Sequence, residues 1–250
     1  MAVAGQTVAM VLEEVKRSAQ PGVSLMELDA IAAEVIRSRG CTASFLGYHG
    51  YPASICTSPN SVIVHGIPSD YRLVEGDVLS VDAGAIFEGF HGDAAITFPI
   101  GEVSLEAQLL IDTTESALAA AIAQTKAGAR LGDIGHVVES AAQVHGFGVV
   151  REYVGHGIGR QMHEDPQVPN YGKPGTGIKL RKGMAICIEP MFNYGGYETV
   201  VEPDGWTVVT ADGSLSAHFE HTIAITDRGP QVMTLLGASE DDLAVVPTGG

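Results

Sequence analysis

One pattern of residues occurs twice in this chain, and the second copy narrows the folds open to it. PGVSLMELDAIAAEVIRSRG (residues 21–40) aligns with AGARLGDIGHVVESAAQVHG (residues 127–146). Gly22, Leu25, Glu27, Leu28, Ile31 and Gly40 fall on Gly128, Leu131, Asp133, Ile134, Val137 and Gly146. EGDVLSVDAG (75–84) falls on KGMAICIEPM (182–191), which places Asp82 on Glu189. GDAAITF falls on FEHTIAI with Asp93 on Glu220, and VHGIP falls on GHGIG with His65 on His156. One such match between apolar stretches is ordinary; four in the same order, with acids on acids, are not. Each copy joins a helix-period segment to strand-period segments. The expected fold is therefore α+β: one domain over 1–250, built of two similar halves, about 1–105 and 106–228, related by a pseudo-twofold axis. The halves meet at a site to which each gives two carboxylates.

The run VDAGAIFEGFHGDAAITF (81–98) reads as a β-hairpin, with apolar alternation on both sides and Glu88-Gly89 as turn chemistry. A loop centred on Phe87 and Glu88 predicts Asp82 directly opposite Asp93. Like charges so placed destabilise a sheet, and a chain that builds the pair inside an apolar hairpin calls for a cation between them. Three further segments carry buried-type acids and imidazoles: GHGIGRQMHEDP with His156 and His163, KGMAICIEPMF with Glu189, and SAHFEHTIAIT with Glu220. All follow β-type patterns near Gly or Pro, where such groups are hard to place without a ligand.

Composition excludes several alternatives. No Pro/Ser-rich linker or run of like charge divides the 250 residues. No apolar stretch reaches the ~18 residues of a membrane span, and MAVAGQTVAMVLEEVK reads as an amphipathic helix rather than a signal peptide. Three cysteines, Cys41, Cys56 and Cys187, suggest no disulfide framework, so a reducing cytoplasm is expected. A net charge of −16 argues against a broad nucleic-acid surface. Residues 229–250 form an acidic, Gly-ended tail outside the repeat.

The set Asp82, Asp93, His156, Glu189 and Glu220, with its flanking text, resembles the type I methionine aminopeptidases. The likeness runs to about Arg228. It is carried by LGYHGYPASICTSPNSVIVHGIP, the Asp-Asp hairpin, GHGIGRQMHEDPQVP, IEPMF and DGWTVVTADGSLSAHFEHT. The chain begins at what resembles the middle of the family's first helix. The resemblance implies the pita-bread fold, with a central antiparallel sheet between the halves. It also implies removal of the N-terminal methionine of nascent polypeptides, with a small second residue preferred. Four carboxylates and one imidazole balance two divalent cations. Such ions sit ~3.5–4 Å apart and activate a water between them. Hard oxygen donors with one imidazole suit Co, Mn or Fe at least as well as Zn. By resemblance, Asp93 and Glu220 bridge the ions, Asp82 completes one shell, and His156 and Glu189 complete the other. Glu189 also takes the water's proton.

His65 and His163 match family histidines that contact substrate, one of which helps stabilise the oxyanion. His49, His91, His218 and His221 read as structural, with His221 on the strand face opposite Glu220. The positions matching the family's methionine pocket are Tyr48, Tyr51, Phe45, Cys56, Met162 and Trp206, an apolar aromatic lining suited to a thioether. Met162 stands where many relatives have an aromatic residue, and Phe45 and Val64 where some have cysteine. A monomer with no membrane or nucleic-acid partner is expected, and a transient ribosome contact is compatible with the family. Three other readings are a proline-directed peptidase of the same fold, a non-catalytic binding protein on it, and a type II methionine aminopeptidase. The first usually carries an extra amino-terminal domain and lacks the NSVIVHGIP and Trp206 text. The second has lost ligands, and the third has an inserted helical subdomain.

Overall fold

The computed structural model describes residues 1–237; residues 238–250, the end of the expected acidic tail, lie outside the described residues. The first half opens with helices α1 (Ala2–Ser18) and α2 (Leu25–Ser38). Strands β1 (Thr42–Ala43), β2 (Ile55–Pro59) and β3 (Val62–Val64) follow, then the long hairpin β4 (Val78–Phe87) and β5 (Phe90–Pro99). The second half repeats the order with α3 (Leu105–Gln124) and α4 (Leu131–His145). Strands β6 (Gly148–Val149), β7 (Gly155–Gly157), β8 (Glu164–Val168), β9 (Ala185–Ile188) and β10 (Met191–Asn193) come next. The described chain closes with β11 (Thr199–Val201), β12 (Val208–Thr210), β13 (Ser216–His218), β14 (Glu220–Thr226) and β15 (Gly229–Val232).

The aligned segments become α2 and α4, and they start in the same way. Ser24 caps α2: its Oγ accepts from Glu27 N at 3.2 Å, and Glu27 Oε2 accepts from Ser24 N at 2.7 Å. At α4, Asp133 Oδ2 accepts from Arg130 N at 2.8 Å. An acid at the third helical position thus satisfies an otherwise orphaned N–H in both copies.

The main sheet is antiparallel, in the order β1-β4-β5-β14-β9-β7-β8, with β2 also on β4 and β15 on β14. The repeat explains that order. β5 and β14 lie side by side at its middle, with β4 outside one and β9 outside the other. Alternation along each strand sends one set of side chains to the helices and the other to the opposite face. Val81, Ala83 and Ala94 pack with Val8, Val11 and Leu28. Ile186, Ile188 and Ile223 pack with Leu110, Ile134 and Val138. Asp82, Asp93, Cys187 and Glu220 therefore share the face turned away from the helices. Close approach of α1 to β5 depends on Gly92: a Cβ there would stand 2.7 Å from Gly5 N. This curled two-layer arrangement of pseudo-twofold-related halves is the pita-bread fold.

Two expectations change. Phe87 pairs with Phe90, so Asp82 lies opposite Ala95 and Asp93 opposite Gly84. The two-residue turn is Glu88-Gly89, with φ of 50° and 75°. A tight hairpin turn of this kind needs positive φ at both central residues, which Gly89 supplies without strain. The acids are consequently diagonal neighbours on one face rather than a direct pair. The expected tail also begins as structure, because β15 pairs with β14 from Ile223↔Val232 to Thr226↔Gly229. Its register keeps the alternation of β14, and Thr234 Oγ1 then meets His221 Nδ1 at 2.8 Å. Among the described residues, no helix is long and apolar enough to cross a membrane.

Candidate active site

The hairpin supplies Asp82 and Asp93, β7 supplies His156, the residue after β9 is Glu189, and β14 begins at Glu220. Thr222 joins the central strands: its Oγ1 accepts from Asp93 N at 3.0 Å and donates to Asp93 O at 2.8 Å. The His156 Nδ1 lies 2.9 Å from Gly157 O. Donation to that carbonyl puts the ring's only proton on Nδ1 and leaves Nε2 as a free acceptor. Nε2 faces Glu189 Oε1 at 3.7 Å and Glu220 Oε1 at 4.0 Å.

Asp82 Oδ1, Asp93 Oδ1 and Glu220 Oε1 are buried without a hydrogen-bond partner among the described residues. Buried carboxylates so crowded cannot all ionise unaided. Burial pushes Asp82 up to about 7. Burial, then the charge of Asp82, pushes Glu189 up to about 8. Burial, then the neighbouring acids, raises Asp93 and Glu220 well above the usual carboxyl range. The same burial lowers His156 to about 4. Orphaned acidic oxygens and a neutral imidazole with a free acceptor form a donor set that fits divalent cations. Ligand atoms of Asp93, His156, Cys187 and Glu220 come within 4.8 Å of one another.

These acids floor a cavity of about 310 Å³. Its walls hold Tyr48, Tyr51, Phe45, Cys56, Met162 and Trp206, together with His65 and His163. Every residue singled out from the sequence as ligand, catalyst or pocket wall therefore lines one space. Trp206 sits in the β11–β12 connection, and the pairing of β12 with β3 (Val208↔Val64) carries it to the loop after β3. Its ring lies 5.1 Å from Tyr51 and 6.4 Å from His65, both edge to face. Tyr51 and Cys56 are buried as well as lining, so they also pack the core.

His65 has a φ of 60°, an uncommon conformation for a residue with a Cβ. Burial, then the His163 charge, lowers it to about 4. His163 lies in the loop before β8, with its ring 4.2 Å from His156. Its Nδ1 is 2.8 Å from the Tyr48 hydroxyl.

Three residues gain places that the sequence reading did not give them. His49 lines the cavity. His218, read as structural, lies with Nε2 3.8 Å from Glu189 Oε2, and that nitrogen has no hydrogen-bond partner among the described residues. Cys187 joins the ligand cluster. Strand periodicity could have found Cys187, which stands two residues before Glu189 and so shares its face. His218 is also two residues from a ligand, Glu220, but Phe219 to Glu220 is a break between β13 and β14 that alternation cannot follow. His91, also read as structural, meets Ser44 Oγ at 2.9 Å. His221 turns to the opposite face as expected.

Residues 1–227 match the metallopeptidase family M24. A methionine aminopeptidase of Clostridium acetobutylicum is 50% identical over 233 residues, covering 93% of each chain. The crystal structure of a methionine aminopeptidase from Thermotoga maritima superposes with a TM-score of 0.92 at 45% identity, over 94% of this chain and 95% of that one. A prolidase from Pyrococcus horikoshii shares the fold alone, at 21% identity and a TM-score of 0.71, and this chain spans 60% of it. Sequence and structure converge on one assignment: the chain belongs to metallopeptidase family M24, on its methionine aminopeptidase branch.

Proposed function

We propose that this protein hydrolyses the N-terminal methionine from nascent polypeptides, with a small second residue preferred, and does so with two divalent cations. The observation that carries this reading is the two-part cavity, an acidic floor beneath an aromatic and sulfur-containing wall. Asp82, Asp93, His156, Glu189 and Glu220 would hold the cations, with Asp93 and Glu220 shared. The chemistry supplied by bound cations is charge, which polarises the scissile carbonyl and acidifies a water.

The chain's own groups account for the rest. Tyr48, Met162 and Trp206 seat an unbranched apolar side chain in the cavity and exclude water from it. His65, held neutral at physiological pH, faces the same space and positions the peptide backbone. With the Tyr48 hydroxyl donating to Nδ1, His163 keeps its proton on Nε2 and donates to the developing oxyanion. Glu189 takes the proton of the attacking water and returns it to the leaving amide nitrogen as the C–N bond breaks. Free methionine and a chain shortened by one residue leave the site.

Three buried free thiols favour a reducing cytoplasm as the place of action, and the chain is read as a monomer that meets polypeptides as they emerge. The deciding assay is hydrolysis of Met-Ala-Ser against X-Pro peptides by purified, metal-reconstituted protein. Release of methionine from the first supports the reading. Equal or faster turnover of X-Pro moves the activity to the proline-directed relatives.

A further inference from the structure

We propose that Cys187 is an additional, sulfur donor in this cation site, placed beside Asp93, His156 and Glu220. The inference rests on the metal-site reading above and extends it to a residue outside the five. Cys187 is fully buried on β9 and is the ladder partner of Thr222. Thr222 in turn bonds the backbone of Asp93. Asp93, Thr222 and Cys187 form a row across β5, β14 and β9 on the face that carries Glu220. Cys187 Sγ lies 3.6 Å from Thr222 Oγ1.

The ligand atoms of Asp93, His156, Cys187 and Glu220 all fall within 4.8 Å of one another. Four donors at 2.0–2.3 Å in a tetrahedral shell lie ~3.3–3.8 Å apart, so about 1 Å of closure at the widest pair lets one ion touch all four. Two of the cluster's oxygens, Asp93 Oδ1 and Glu220 Oε1, are buried and unpartnered beside the sulfur. The His156 Nε2 is an acceptor there too. Coordination would replace the S–H bond with a metal–sulfur bond and release the proton to solvent. A thiolate among oxygen donors softens the site, which favours Zn²⁺ and Co²⁺ over Mn²⁺.

Cobalt substitution of the full chain tests this. Wild-type protein loaded with Co²⁺, its content measured by elemental analysis, should show a near-ultraviolet sulfur-to-cobalt charge-transfer band. Cys56→Ser should keep the band. Cys187→Ser should lose it while retaining bound cobalt and its visible d–d bands. X-ray absorption of the wild-type zinc form gives a second reading that needs no variant: one sulfur scatterer at ~2.3 Å. Cobalt bound with no sulfur band, a band that survives in Cys187→Ser, or a zinc shell of N and O alone overturns the proposal and leaves the five-ligand site intact. Failure to bind cobalt at all overturns the site reading and this proposal with it.

Discussion

Chelation should make this protein's stability depend on pH in a direction set by its buried acids. In the unfolded chain Glu189 ionises in the ordinary carboxyl range, whereas in the fold burial and Asp82 keep it protonated up to about 8. The native state therefore binds more protons than the unfolded state across that interval, and stability falls as pH rises. Buried histidines act oppositely. His156 has its folded value lowered to about 4, so its contribution is complete above the ordinary imidazole range and lost as pH falls below it. An unfolded imidazole is still half protonated at pH ~6.5. Over the window from pH ~6.5 to ~8, His65, His156, His218 and His221 therefore together return about 2 kcal/mol, and the four buried carboxyls must outweigh them. Over those ~1.5 pH units Glu189 alone costs about 2 kcal/mol, which cancels that return, and Asp93 and Glu220 set the net fall at about 2 kcal/mol or more. At about 2–4 °C per kcal/mol for a chain this long, Tm should drop by roughly 4–8 °C or more. Differential scanning calorimetry of chelated and Mn²⁺- or Co²⁺-saturated protein measures it. The ion's stabilising increment should grow with pH, because binding releases protons. A chelated protein whose Tm is flat or rising across the window would refute the reasoning.

His163→Ala should lower kcat by about 10²-fold with metal content unchanged, as for loss of one oxyanion donor; loss of metal would identify it as a ligand instead. Trp206→Ala should cost ~1–3 kcal/mol in kcat/KM for Met-Ala-Ser and raise Leu relative to Met, with Tm nearly unmoved; full retention of selectivity assigns the pocket to Tyr48 and Met162. Gly92→Ala should destabilise the fold by about 1–3 kcal/mol, read by urea denaturation, because its Cβ would press on α1 at Gly5.

The legible part of this fold was the part written twice. Asp82 with Glu189 and Asp93 with Glu220 located four acids before any geometry was known, because a duplicated pattern marks position independently of packing. Hairpin register was lost by a small error in centring the turn: the Glu88-Gly89 chemistry was visible, but which two residues carry positive φ is a backbone property. The slip left both acids on one face, since the error was even in register. His218 and His49 were illegible for another reason. Their roles depend on where loops and strand breaks deliver them, and periodicity says nothing across a break. Strand β15 carries a proline and lies beyond the repeat, so neither alternation nor duplication announced it.

The sheet's middle is also a thin join. β4 and β5 share a ladder of ten residue pairs from Val78↔Pro99 to Phe87↔Phe90, whereas β5 and β14 share Glu220↔Ala95 and His221↔Ala94, reinforced by the Thr222 hydroxyl. The two copies thus meet along a short seam, and the acids that reach across it are Asp93 from one side and Glu220 from the other. On the proposed reading, an ion held by both would act as a rivet as well as a reagent. Amides of β5 and β14 should then gain more hydrogen-exchange protection on metal loading than those of the β4–β5 turn, and wear at the seam would disarm the chemistry before the halves themselves unfold.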